Sequence, residues 1–105
     1  MIDALQHQAD GASQLLTDIG NPHRLLILCQ LVEGEKPVSD LVRLTGLSGS
    51  ALSQHLARLR ASGHIATRRD GRRIYYSLRS EPVRRIITVL HDLYCRPETG
   101  PTVVI

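Results

Sequence analysis

Two short amphipathic segments around a glycine-containing turn, followed at once by a hairpin signal, constrain the fold of this chain more than any other feature. The first segment covers residues 38–44, and Gly46 lies in the turn. Ser48 then caps a second helix, which stops at Gly63. Two short helices joined by such a turn are typical of a helix-turn-helix motif.

The segment 64–79 predicts a β-hairpin. Its Asp70-Gly71 pair lies between two arms rich in β-branched and aromatic residues, which is the strongest short hairpin signal. On the second arm, Ile74, Tyr76 and Leu78 alternate toward the core. A hairpin directly after a helix-turn-helix forms a wing. The fold expected is therefore mainly α with a small β-hairpin, a winged helix-turn-helix in the order helix-helix-helix-helix-strand-strand-helix.

Three further helices flank this unit. Residues 2–19 place apolar side chains at alternating steps of three and four, and such a narrow stripe suits a helix–helix seam between two copies or ordinary core packing. Asn21-Pro22 opens a second helix that is apolar nearly all round and is expected to be buried. Ser80 caps the last helix. The stripe residues are Ile2, Leu5, Ala9, Ala12, Leu16 and Ile19 in the first helix, and Val83, Ile86, Ile87, Leu90 and Tyr94 in the last.

Composition and charge narrow the class of protein. An apolar fraction of 42% and a charged fraction of 22% indicate a globular chain. No apolar run approaches the roughly 20 residues of a membrane helix, and the acidic N-terminus does not resemble a secretory signal, so a cytoplasmic protein without membrane contact is expected. Residues 58–85 carry nine arginines against Asp70 and Glu81. Such a block indicates a phosphate-binding surface or, alternatively, a solvated face.

The second helix of the motif has the character of a DNA-reading helix. If Leu52, Leu56 and Leu59 point inward, short polar side chains near the N-terminus point outward, as base recognition in the major groove requires. Arginines on the hairpin suit the minor groove or the phosphates. The candidate DNA-binding residues are Ser48, Ser50, Ser53, Gln54 and Arg58 on the helix, and Arg68, Arg69, Arg72 and Arg73 on the hairpin. His55, about 60° from the leucines, is expected to be a packed, hydrogen-bonded core histidine.

The chain has two cysteines, Cys29 and Cys95, without the CxxC spacing of a zinc knuckle or a thioredoxin-type motif. A permanent disulfide is not expected in a reducing cytosol. Composition alone favours the interpretation that both cysteines are small apolar residues that pack in the core. That interpretation suits Cys29 among its leucines, whereas Cys95 lies off the apolar stripe and is expected to be accessible.

The runs NPHRLLIL at 21–28, LSGSALSQHLARLRASGHI at 47–65 and DGRRIYYSL at 70–78 resemble the ArsR/SmtB family of repressors, and the resemblance spans residues 12–95. It implies a homodimer formed by the first and last helices. It also implies a double-stranded operator with an inverted repeat, and neither enzymatic activity nor a cofactor. Residues 1–95 would form the DNA-binding and dimerisation domain and residues 96–105 a flexible tail. The thiols of the family's metal box are absent from residues 38–42, so metal sensing is not expected.

The contexts of the two cysteines resemble the persulfide-sensing branch of this family, the SqrR, BigR and HlyU type. Ile27-Leu28-Cys29 matches one context and the run from Leu90 to Cys95 the other. The resemblance implies that a small sulfane-sulfur effector converts both thiols into a polysulfide bridge, which weakens operator binding and regulates genes of sulfide detoxification. Thiol oxidation by peroxide, haem bound through Cys and His, and a metal ion remain as alternative inputs. A sulfurtransferase and an interaction module that does not bind DNA are alternatives from other classes. Gly49 and Pro37 depart from the family pattern.

Overall fold

The computed structural model describes residues 2–95, so the expected flexible tail 96–105 lies outside the described residues. The elements in chain order are α1 (Ile2–Ile19), α2 (Pro22–Val32), β1 (Lys36–Pro37), α3 (Val38–Thr45), α4 (Gly49–Ala61), β2 (Ile65–Asp70), β3 (Arg73–Leu78) and α5 (Glu81–Tyr94). Five helices and a small sheet in this order confirm the predicted winged helix-turn-helix.

Side-chain caps explain where three of the helices begin. The Asn21 carboxamide oxygen accepts hydrogen bonds from the first turn of α2, and the hydroxyls of Ser48 and Ser80 accept one each from α4 and α5. These caps satisfy N–H groups that have no partner inside the helix. By contrast, α3 begins at Val38, and the preceding residue Pro37 provides no side-chain cap because proline has no polar side-chain atom.

The core is formed by one apolar face from each helix and by the first residue of β2. All three leucines predicted to point inward from α4 are buried, which confirms the orientation of that helix. The fully or nearly fully buried apolar side chains are Ile19, Ile27, Leu28, Leu31, Leu41, Leu52, Leu56, Leu59, Ile65, Val83 and Ile87. Two expectations of burial are wrong within the single chain. Leu26 is 47% exposed because it borders an open cavity between α2 and α5, and Tyr94, the last residue of α5, is 55% exposed.

The sheet contains a strand that the sequence did not predict. β1 pairs antiparallel with β3, which also pairs with β2, so the strand order is β1-β3-β2. A two-residue strand is too short to show alternation, and its proline is tolerated because β1 is an edge strand.

The hairpin turn lies one residue further along than the Asp70-Gly71 pair suggested. Asp70 pairs with Arg73, so Gly71 and Arg72 form the loop. Gly71 has a φ of +64° and Arg72 does not have a positive φ, as in a type II′ turn with glycine at its first central position. The loop places Arg72 at the tip of the wing.

The buried, hydrogen-bonded histidine is His64, not His55. His55 is half-buried at the rim of the core, where its ring lies 5.6 Å from the ring of His23. Partial burial, followed by electrostatic interaction with Arg24 and with His23, lowers the pKa of His55. His64 is 7% exposed, and its Nε2 lies 2.8 Å from a carboxylate oxygen of Asp18.

Asp18 ends α1 as a nearly inaccessible carboxylate, 1% exposed. Besides its bond with His64, it accepts hydrogen bonds from the Gln14 amide at 3.0 Å and from the Arg58 guanidinium at 3.2 and 3.3 Å. Burial alone raises the pKa of this carboxyl, but the hydrogen bonds, that of His64 foremost, outweigh burial and lower the pKa below its usual 3.8. The last turn of α1 is thereby fixed to the end of α4 and to the residue preceding β2.

We predict that Asp18→Asn lowers the free energy of unfolding most at neutral pH. A carboxyl whose pKa is depressed by folding stabilises the protein above its unfolded pKa, and this contribution is lost as the pH falls through the lower folded pKa. The gap between parent and variant should therefore narrow below pH 3.8, the usual value. Urea unfolding over a pH series measures the gap. The exposed Asp10 of α1 is the matched control, since Asp10→Asn should stay within about 0.5 kcal/mol of the parent. A gap that is constant with pH would contradict the prediction.

Candidate DNA-binding surface and paired thiols

The outward face of α4 carries the predicted polar side chains. Because the leucines of α4 face the core, Ser50, Ser53 and Gln54 lie exposed on the other side. The Ser48 hydroxyl caps the helix by accepting a hydrogen bond from the Ala51 N–H at 3.2 Å. No large side chain stands between these groups and solvent at the helix N-terminus, so they are free to approach a base edge.

The wing presents arginines on both strands and on the turn. Arg69, Arg72 and Arg73 are exposed, and a hydrogen bond with the Tyr75 hydroxyl raises the pKa of Arg73. The structure therefore brings all four predicted wing arginines, Arg68 included, to the surface as solvent-accessible cations.

The fourth wing arginine, Arg68, is engaged within the chain. Its Nε and Nη2 donate to the two carboxylate oxygens of Glu35 at 3.0 and 2.6 Å, and its guanidinium carbon lies 4.6 Å from the centre of the Tyr75 ring. The hydrogen bond from Arg68 lowers the pKa of Glu35. Glu35 lies between α2 and β1, so this ion pair joins the wing to the segment that follows α2. Sequence reasoning missed it because the two residues are 33 positions apart.

Arg58, predicted on the shoulder of α4, forms the ion pair with Asp18. Its side chain is 45% exposed, so one edge of the guanidinium faces the buried carboxylate and the rest reaches solvent. The sequence offers one signal for this cluster. Asp18 lies three residues after Leu15 and next to Ile19, on the inward side of α1, where an acidic residue requires a cationic partner.

Both thiols line one cavity of about 510 Å³ between α2 and α5. Cys29 is half-buried and packs against the core, and Cys95 is exposed at the C-terminal end of α5, as predicted. The remaining lining residues are Leu26, Gln30, Val32, Glu33, Ile87, Thr88 and His91. The walls are mostly apolar, with carboxylate, amide and imidazole groups at a few positions.

The two thiols have different environments. Burial raises the pKa of the Cys29 thiol, and the negative charges of Cys95 and Glu33 raise it further. Both thiols belong to one chain and line the same cavity. Cys95 is accessible from solvent, and its backbone N–H donates to the His91 carbonyl at 2.8 Å.

Residues 2–95 contain no group of three or more His, Cys, Asp or Glu side chains placed to hold a metal ion. Among the same residues, no helix combines the length and the apolar character needed to cross a membrane.

Comparison with known proteins identifies the family. Residues 21–66 match the family model described as bacterial regulatory protein, arsR family. The chain is 50% identical over 93 residues to the HTH-type transcriptional regulator YgaV of Escherichia coli K12, covering 87% of this chain and 93% of YgaV.

Two solved structures share the fold along almost their whole length. Reduced HlyU from Vibrio cholerae superposes with a TM-score of 0.84 at 41% identity, covering 89% of this chain and 98% of HlyU. The transcriptional repressor BigR from Xylella fastidiosa superposes with a TM-score of 0.86 at 32% identity, covering 91% of this chain and 98% of BigR. The relatives are named as transcriptional regulators, and the residues of the helix-turn-helix lie within the matched family model. The chain is a transcriptional regulator of the ArsR family.

Proposed function

We propose that this protein is a dimeric repressor that binds double-stranded operator DNA in its dithiol form. Joining Cys29 to Cys95 by a polysulfide bridge lowers its affinity for the operator. The observation that carries the sensing part is that both thiols of one chain line the same cavity between α2 and α5. The resemblance of their sequence contexts to the persulfide-sensing branch supports the same assignment, as does a relative whose structure is described as reduced.

The outward face of α4 and the wing together support DNA binding. α4 would enter the major groove with Ser50, Ser53 and Gln54 toward the base edges, and Gln can pair with adenine there. The exposed wing arginines would contact phosphates or the adjacent minor groove. One recognition helix reads one half-site, so an inverted repeat requires two copies of the chain.

Exposed apolar side chains on the terminal helices support the dimer. On α1, Ile2, Leu5 and Leu16 are more than half exposed, and on α5 the same is true of Val89 and Tyr94. Apolar surface of this extent on a small protein is typical of an interface. A second copy packed against α1 and α5 would bury these side chains and leave α4 and the wing accessible to DNA.

A sulfane-sulfur donor can join the two thiols without a separate oxidant. With an organic trisulfide RS–S–SR, the first thiolate attacks the central sulfur and expels RS⁻. The second thiolate attacks the same sulfur and expels the other RS⁻. The protein loses two hydrogens and gains one sulfur, while the donor is reduced to two thiols. We assign the first attack to Cys95, because it is exposed and the pKa of Cys29 is raised.

The segment between α2 and the sheet can carry the signal from the bridge to the wing. Four residues after Cys29, Glu33 lines the cavity and forms an ion pair with Lys36 at 3.5 Å. Lys36 begins β1, which pairs with β3 of the wing, and Glu35 binds Arg68. A bridge that pulls α2 against α5 would therefore shift the wing relative to α4, and both must fit the DNA at once.

We predict that Gln54→Ala and the double change Arg72→Ala/Arg73→Ala weaken DNA binding in different ways. Loss of a base contact should cost roughly 1–3 kcal/mol and relax the preference at one base pair. Loss of two phosphate contacts should weaken binding to every sequence and reduce the slope of log K against log salt by about two. Binding-site selection and salt titration measure the two effects. Arg60→Ala, at an exposed position of α4 about 120° around the helix from Gln54, is the control for the loss of one positive charge. Unchanged specificity in Gln54→Ala would show that Gln54 does not contact a base. An unchanged salt slope in the double variant would show that the wing does not contact the phosphates.

We predict that Cys29→Ser and Cys95→Ser each bind the operator and no longer respond to an organic polysulfide, since one thiol cannot close a bridge. In the parent, intact mass should rise by a whole number of sulfur atoms less two hydrogens per chain. Operator affinity should fall by about 5- to 150-fold, the usual range of allosteric coupling. Parallel treatment with peroxide and with haem tests the alternative inputs. Release of DNA by either single variant as complete as that of the parent would disprove the bridge.

We predict that a limiting amount of iodoacetamide alkylates Cys95 faster than Cys29. Cys95 is exposed, whereas Cys29 is half-buried and its raised pKa leaves less reactive thiolate. Peptide mass analysis over time gives both rates. A faster reaction at Cys29 in the parent would reverse the order of attack.

A further inference from the structure

We propose that Asp18, at the end of α1, is a positioning residue for DNA binding that aims the guanidinium of Arg58 at a phosphate of the DNA backbone. This inference rests on the proposed DNA binding by α4. It assigns a role in recognition to a residue that lies outside the helix-turn-helix and the wing and that is itself inaccessible to DNA.

The position of Asp18 is electrostatically unfavourable without its partners. A carboxylate in the last turn of a helix lies at the negative end of the helix dipole, and Asp18 is 99% withdrawn from water in addition. Buried ion pairs are often no more stabilising than apolar residues of the same size. Stability alone is therefore a weak reason for an acidic residue at this position. The arrangement of the groups around Asp18 indicates a different role.

The carboxylate holds Arg58 by one edge. Nε and Nη2 of Arg58 lie 3.3 and 3.2 Å from the same oxygen, Oδ1 of Asp18, and the other oxygen binds Nε2 of His64. A guanidinium has five N–H donors in a rigid plane. Two of its nitrogens are aimed at Asp18, so the direction of Nη1 is set, and the side chain is 45% exposed. The remaining donors are thus oriented toward solvent before any ligand arrives.

Arg58 continues the outward row of α4. Ser50, Gln54 and Arg58 follow at intervals of four residues, which places Arg58 one turn, or about 6 Å, beyond Gln54. In a recognition helix the N-terminal residues read bases, and positions further along pass over the rim of the groove, where the phosphates lie. An arginine held in a fixed direction there gives a contact that sets the register of the helix on the duplex.

His64 extends the same restraint to the wing and to α5. Its side chain binds Asp18, and its carbonyl accepts the N–H groups of Arg79 at 2.9 Å and Ser80 at 3.3 Å. Asp18 therefore fixes Arg58 relative to the residues where the hairpin begins and ends. A phosphate contact by Arg58 and contacts by the wing would then have a defined spacing.

A double-mutant cycle on the reduced, full-length protein tests this role. Arg58→Ala should weaken operator binding by about tenfold, as expected for one charge-assisted hydrogen bond, and should lower the salt slope by about one. Asp18→Asn should weaken binding several-fold in the parent and have almost no effect once Arg58 is Ala. Arg60→Ala, an exposed arginine about 120° around α4 from Gln54, should leave both affinity and slope close to the parent values.

The proposal is overturned if Asp18→Asn weakens binding equally with and without Arg58, because Asp18 would then act through general stability. It is also overturned if Arg58→Ala behaves like Arg60→Ala. Should Asp18→Asn fail to fold, Arg58→Lys decides the question with Asp18 intact. Lysine keeps the charge but lacks the two-nitrogen fork, so weaker binding at unchanged thermal stability supports the proposal and parental binding refutes it. A parent that binds no duplex DNA refutes the proposed function itself, and this inference with it.

Discussion

The negative charge of Asp18 must be balanced in a place that water barely reaches, and the groups that balance it come from separate parts of the chain. His64 approaches from the junction between α4 and β2, and Arg58 from the last turn of α4. A buried carboxylate without such partners would cost several kcal/mol. The end of α1 is therefore held at the position where both of these partners reach it, and through His64 this restraint extends to the start of α5.

α2 occupies the middle of the molecule and connects the cavity lined by the two thiols with the segment that leads into the sheet. Its inward residues Ile27, Leu28 and Leu31 are all at most 1% exposed, so the helix cannot move without disturbing packing on several sides. Cys29 lies on this helix, and the segment after it leads directly into the sheet. In the mechanism we propose, the movement caused by a bridge on α2 reaches the wing through packed side chains and strand pairing. No large rearrangement is needed.

The difference between the two thiols suits an ordered reaction. An exposed thiol at the end of α5 can meet a donor from solution, while a half-buried thiol with a raised pKa reacts more slowly with the same donor. Once the first thiol carries the donor's sulfur, that sulfur lies next to the second thiol. Because this sulfur and the Cys29 thiol are held close together in the cavity, Cys29 can react without a low pKa.

The sequence by itself determined the local elements. Caps at Asn21, Ser48 and Ser80 fixed where three helices begin, and the spacing of Leu52, Leu56 and Leu59 correctly predicted the outward face of α4. The Asp-Gly pair predicted the hairpin, although not its turn. These signals depend on neighbours within about four residues, so the physical chemistry is contained in a short window.

Only the tertiary structure decided which polar groups meet. Asp18 and His64 are 46 residues apart, Asp18 and Arg58 are 40 apart, and Glu35 and Arg68 are 33 apart. Strand β1 exists only because β3 offers it an edge. The common cavity of Cys29 and Cys95 likewise exists only once α2 packs on α5. No periodicity encodes such pairs, because each side chain has many possible partners until the packing of the helices decides which of them come within reach.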